Sequence, residues 1–121
     1  MNKIVKKILI EKENLYSEKI RNEIKDLDVY CINEDDLNEA FNSEYLEKTN
    51  FLYCLQYKLL IETDNEKLSY INYLISYYLF IVLTPPFSEE LSENYAKQAI
   101  SLTNKNKKEY TKWLDYIKNG N

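Results

Sequence analysis

The longest uncharged stretch runs from Leu68 to Ser88, LSYINYLISYYLFIVLTPPFS, inside a chain otherwise thick with Lys, Glu, Asp and Asn. Leu68, Ile71, Leu74, Ile75, Tyr78, Leu79 and Val82 fall at helical spacing, and the second half is apolar on nearly every side. That pattern predicts a helix surrounded by others. Upstream, Ile4, Val5, Ile8 and Leu9, then Tyr16, Ile20, Ile24 and Leu27, predict a first helix over about residues 3–27. Asp28 to Ile32 reads as a short apolar connector with strand-like residues. Asn33 with Asp36 marks a helix start, followed by Leu37, Ala40 and Phe41. A restart near Ser43 carries Leu46, Phe51, Leu52, Leu55 and Leu59, and Asp64 or Asn65 caps the central helix. Beyond it, Ser88, Glu89 and Glu90 open a helix through Leu91, Tyr95, Ala99 and Leu102. Asn106 with Glu109 reads as a capping box for a last helix using Tyr110, Trp113, Leu114 and Ile117, with Gly120 at its end.

These elements predict an all-α fold. The expected architecture is one compact bundle of five or six helices, packed as antiparallel helical hairpins in a single domain over residues 1–121. Turn chemistry supports it by exclusion. The chain has one Gly and one Asn-Gly pair, Asn119-Gly120, so hairpin turns are scarce. A membrane span needs about 20 apolar residues. Pro85 and Pro86 stop the central helix near Thr84, and Tyr70, Tyr73, Tyr77 and Tyr78 are spread along it rather than gathered at interfaces. No membrane partner is expected. No secretory segment is recognisable, because Glu11 and Lys12 break the early apolar run. A cytoplasmic protein with free Cys31 and Cys54 thiols is expected.

The stretch Tyr73 to Asn106 resembles a degenerate tetratricopeptide-type repeat, a 34-residue helix-turn-helix unit. YAKQAISLTNKN, Tyr95 to Asn106, is similar to its second helix and exit turn. Ala99 and Leu102 occupy matching places, and Tyr110 and Trp113 begin a following unit, carrying the resemblance to about residue 117. Phe80, Ser92, Asn104 and the Pro-Pro turn depart from the pattern. The resemblance implies an α-solenoid-like, protein-binding chain without catalysis.

Composition narrows the chemistry further. With no His, the commonest general base and metal ligand is missing, and Ser–His or Cys–His pairs cannot form. Two cysteines alone do not complete a zinc site, and no internal Gly-rich loop is available to cradle phosphate. A calcium loop counted from Asp26 places Cys31 at its sixth position and Leu37 at its twelfth, so it fails. Carboxylate pairs such as Glu44/Glu47 and Glu62/Glu66 read as solvated surface. Neither an enzyme, a cofactor, a metal nor a small-molecule substrate is expected. Lys105, Lys107, Lys108 and Lys112 interleave with Tyr110 and Trp113. A single Arg and a net charge of −4 nevertheless argue against nucleic acid.

Charge is uneven along the chain. Fourteen acids face only Lys48, Lys58 and Lys67 between residues 26 and 96, whereas both ends are basic. Residues 34–47 hold six acids, Glu34, Asp35, Asp36, Glu39, Glu44 and Glu47, with no base, and Phe41 and Tyr45 among them. Acids around aromatic anchors suit a basic protein partner, because charge speeds encounter and buried aromatics hold the contact. These eight residues are the expected partner-binding set. The expected function is a small acidic protein-binding module of the inhibitor or immunity type. The alternative is a helical adaptor or self-associating scaffold, including a homodimer.

Overall fold

A computed structural model describes residues 1–119; Gly120, expected to end the last helix, lies outside the described residues. Seven α-helices form, with no strand among the described residues: α1 Lys3–Leu9, α2 Glu18–Asp26, α3 Glu34–Asn38, α4 Tyr45–Ile61, α5 Asn65–Tyr77, α6 Ser88–Leu102 and α7 Lys107–Lys118. Short 3-10 turns follow α2 at Val29–Cys31 and α3 at Glu39–Asn42. The all-helical expectation holds, but the count of five or six falls short.

The discrepancy arises at the N-terminus, where one expected helix is two. Glu11, Lys12, Glu13 and Asn14 interrupt the apolar stripe, and local polar bonding redirects the chain. Lys12 takes a left-handed φ of 53°, the Asn14 side chain accepts from the Tyr16 amide at 3.0 Å, and Ser17 caps α2. Tyr16, expected on the buried stripe, is 93% exposed. The connector at residues 28–32 is likewise not extended: the Asp28 carboxylate accepts from the Tyr30 amide and closes a 3-10 turn. The Asn33–Asp36 start forms as a reciprocal capping box. Its counterpart at Asn106 and Glu109 does not form, because Asn106 makes no side-chain cap bond. The Thr103 hydroxyl replaces it, accepting from the Lys105 and Asn106 amides at 3.1 and 3.0 Å.

The core gathers Val5 and Ile8 of α1, Ile20 and Ile24 of α2, Leu37 of α3, Phe51 and Leu55 of α4, and most of α5. Burying each such side chain stabilises by about 1.5–3 kcal/mol. Helix α5 does not stop at Tyr77. It continues as a π-helical segment, Tyr78–Leu83, where the Thr84 amide donates to the Leu79 carbonyl. Tyr78 is fully buried against Phe51 and donates to the Lys48 carbonyl at 2.7 Å. The Pro85-Pro86 turn is flanked by two left-handed residues, Thr84 at φ 44° and Phe87 at φ 65°.

Two buried hydroxyls fix how the next helix returns. Ser69 donates to the Ala99 carbonyl at 2.5 Å and Ser76 to the Ser92 carbonyl at 2.7 Å, so α6 runs antiparallel to α5. Ser92, Ala96 and Ala99 are fully buried there, small enough to let the helices approach closely; Leu91, expected on the apolar stripe, is exposed. Trp113 donates its indole N–H to Ser76 at 2.8 Å, and Tyr110 stacks on Tyr73. Helix α7 therefore runs parallel to α5 along one flank. Glu66 ties the connection, accepting from the Thr103 hydroxyl at 2.8 Å and the Asn104 amide at 2.6 Å. No helix of the described residues is long and apolar enough to cross a membrane.

Candidate functional site

The eight residues expected to bind a partner separate into three groups. Asp36 is buried as the hinge of the first turn of α3: one carboxylate oxygen accepts from the Asn33 amide at 3.1 Å, the other from the Asn2 amide at 2.9 Å. Glu47 is buried on α4, with one oxygen 3.5 Å from Lys12 Nζ and the other without a partner. Neither carboxylate is offered to solvent, and in this respect the expected set is too broad. Helical phase explains the error. Asp36 sits at the third position of its helix, the one that caps, and Glu47 shares the inward face of α4 with Phe51 and Leu55.

The second group keeps the surface. Asp35, Glu39 and Glu44 are exposed, Phe41 is 49% exposed and Tyr45 66%. Leu46, 65% exposed, extends the apolar ground beside Tyr45. No base interrupts residues 34–47.

Glu34 alone leads somewhere else. Its carboxylate accepts from the Tyr73 hydroxyl at 2.8 Å, and it lines a cleft of about 340 Å³ with Tyr30, Tyr70, Tyr73, Asn106, Glu109, Tyr110 and Trp113. Besides Glu34 at the start of α3, three elements build this cleft. Tyr70 and Tyr73 stand three residues apart on α5, and Tyr110 and Trp113 repeat the spacing on α7. Tyr30 comes from the 3-10 turn after α2. The rings form a continuous array. Tyr73 stacks on Tyr110 at 5.0 Å and 19°, meets Trp113 edge-on at 5.9 Å, and neighbours Tyr70 at 6.4 Å; Tyr30 lies 5.4 Å from Tyr70. Tyr70 donates its hydroxyl to the Ile32 carbonyl, which holds that ring against the turn. On the next turn of α5, Tyr77 donates to Asn38 Oδ1 at 2.8 Å, so α3 is clasped by two tyrosines of α5.

The electrostatics of the cleft are one-sided. Burial, then the charges of Glu34, Asp36 and neighbouring phenols, pushes the Tyr70 hydroxyl up to about 12. Burial, then Glu109 and Glu66, pushes Tyr110 up to about 12. Tyr73 is raised as well, by burial first and then by its hydrogen bond to Glu34. Every one of these phenols is neutral at pH 7, a donor and an electron-rich face. The cation recorded against the array is Lys67, whose Nζ sits 5.9 Å from the Tyr30 ring centroid at the rim.

The chain matches no protein-family model, no curated protein and no solved structure.

A second hollow, about 170 Å³, is lined by Leu15, Arg21, Ile24, Asn50, Tyr53, Cys54 and Tyr57. Burial pushes the Cys54 thiol up to about 12, so it is not a thiolate at neutral pH. Both cysteines are free. Among the described residues, no cluster of three or more Cys, Asp and Glu side chains is arranged to hold a metal ion.

Tyr110 and Trp113 share one helical face and Tyr70 and Tyr73 another, and neither segment alone shows that the two faces meet. The signal was present in the matched spacings, Tyr70 with Tyr73 and Tyr110 with Trp113.

Proposed function

We propose that this chain is a cytoplasmic protein-binding module that docks a basic protein partner on the exposed ground of α3, the 3-10 turn after it and the start of α4. The observation that carries this reading is the sorting of the acids. After Asp36 and Glu47 turn inward, Asp35, Glu39 and Glu44 remain outside with Phe41, Tyr45 and Leu46 exposed beside them. Exposed charge of one sign steers a partner of the other, and large apolar side chains supply the area that slows its release. An inhibitor or immunity-type role, in which the module covers a basic working surface, is the most concrete form. The test is charge reversal at Asp35, Glu39 and Glu44 to Lys, leaving the capping Asp36 intact. Capture of a basic partner should be lost, and wild-type association should slow as salt rises. Capture that survives both changes removes this face from the account.

A second reading, self-association as a helical scaffold or homodimer, is supported by a different surface. Leu46, Tyr53 and Leu60 recur every seven residues on the outer side of α4, and all three are exposed. Sedimentation of wild type beside Leu60→Glu separates the two: a dimer that the substitution dissolves favours the scaffold.

A further inference from the structure

We infer that the cleft between α5, α7 and the start of α3 is a binding subsite for a guanidinium group, the side chain of an arginine presented by the partner protein. The inference rests on the docking reading above and names the anchoring chemistry that the reading leaves open. Three features select this occupant. The walls are aromatic: Tyr70, Tyr73, Tyr110 and Trp113 line the space, and aromatic rings attract cations, most strongly at indole. Two carboxylates, Glu34 and Glu109, line the same space, and Glu34 is held in place by its bond from Tyr73. Among the described residues, the cation–ring contact is Lys67 over Tyr30, at the outer edge of the array.

A planar guanidinium fits this combination better than an ammonium. It stacks flat on aromatic faces while its edge forks onto a carboxylate, and its weak hydration lowers the cost of entering a partly buried cleft. A volume of about 340 Å³ lies at the lower end of ligand-binding pockets, roughly 300–1,000 Å³, which suits a side chain more than a folded segment. Position completes the argument. Glu34 belongs both to the cleft and to the acidic segment, so a partner on the exposed face of α3 has this opening at its edge.

The chain carries its own reporter, because Trp113 is its single tryptophan and lines the cleft. The full chain is titrated with Nα-acetyl-arginine methylamide, with the citrulline analogue as a neutral isostere and the lysine analogue as the rival cation, following Trp113 emission and calorimetric heat. A saturable response to the arginine probe is expected, with a dissociation constant on the order of millimolar for an isolated side chain. Glu34→Gln and Glu109→Gln should each weaken it by about tenfold, as loss of a charge-assisted contact does. Circular dichroism checks that both variants remain folded. An equal response to the citrulline probe, tighter binding of the lysine probe, unchanged affinity in both variants or no saturable response would overturn the assignment. The two readings fail separately. A silent cleft with partner capture still lost on reversal of Asp35, Glu39 and Glu44 removes the subsite alone. A responsive cleft with capture unaffected removes the docking face alone.

Discussion

Residues 1–42 and residues 65–119 are held together by different means. Helices α1, α2 and α3 have seven, nine and five residues, and helices that short are marginal alone. They are stitched by polar contacts from distant parts of the chain. Asp36 receives the Asn2 amide, Lys7 pairs with Glu23 at 2.6 Å, and three tyrosines of α5 donate to Ile32, Glu34 and Asn38. The buried Lys58 ammonium of α4 donates to the carbonyls of Lys25 and Leu27 at 2.9 and 2.7 Å, closing the negative end of α2. The α5–α6–α7 unit uses long helices, small residues at the crossing and buried serines. The lesson is one of vulnerability: losing a polar atom loosens the first region, whereas losing volume loosens the second.

The largest effect is expected in the second region. Ile75→Ala, at a fully buried position of α5, should cost about 2–5 kcal/mol in urea unfolding, as core truncations do. Asp36→Ala should cost less, about 1–3 kcal/mol, because it removes the α3 cap and strands the Asn2 amide. Its loss should be local, with faster amide exchange in α1 and α3 and little change in α6. A smaller global cost, about 1–2 kcal/mol, is expected for Ser76→Ala. That substitution leaves the Trp113 indole unpaired, so Trp113 emission should shift. If Asp36→Ala is silent while Ser76→Ala is severe, the contrast between packed and stitched regions is misplaced.

The smallest effect tests the carboxylate tie inside the packed region. Its bond from the Asn104 amide, then that from Thr103, holds the Glu66 carboxyl below the ordinary carboxylate value of 4.5. A lowered folded pKa stabilises above the unfolded value and is lost as pH falls through the folded one. The α6–α7 connection should therefore loosen only below about pH 4.5. Glu66→Gln should lower stability slightly at pH 7 and flatten that acid slope in Trp113 emission.

Much of this arrangement was legible in the chain. The Pro-Pro stop, the apolar α5 and the caps at Asn33 and Asp64 are local signals, and local signals decide helix ends. The break at residues 10–17 was not, because Tyr16 continues the helical spacing while Asn14 and Ser17 use their side chains against it. The box at Asn106 and Glu109 failed because Thr103, tied to Glu66 thirty-seven residues away, was the better acceptor. The candidate site was half legible. Acid content marks residues 34–47, but only the helical phase tells that Asp36 and Glu47 face in. The aromatic cleft depends on α7 lying alongside α5, a relation no single segment contains.

The π-helical segment Tyr78–Leu83 sets the phase of everything after it. A π-turn spends one residue more per turn than an α-helix, so side chains beyond it emerge rotated from where a continuous α-helix would place them. Tyr70 and Tyr73 face the cleft in one phase; Val82 and Leu83 enter the core in another. Chain length here is thus as constrained as composition. Deleting one residue between 78 and 83 keeps the hydropathy intact yet turns the Pro-Pro corner, and with it α6 and α7, away from the tyrosines they meet.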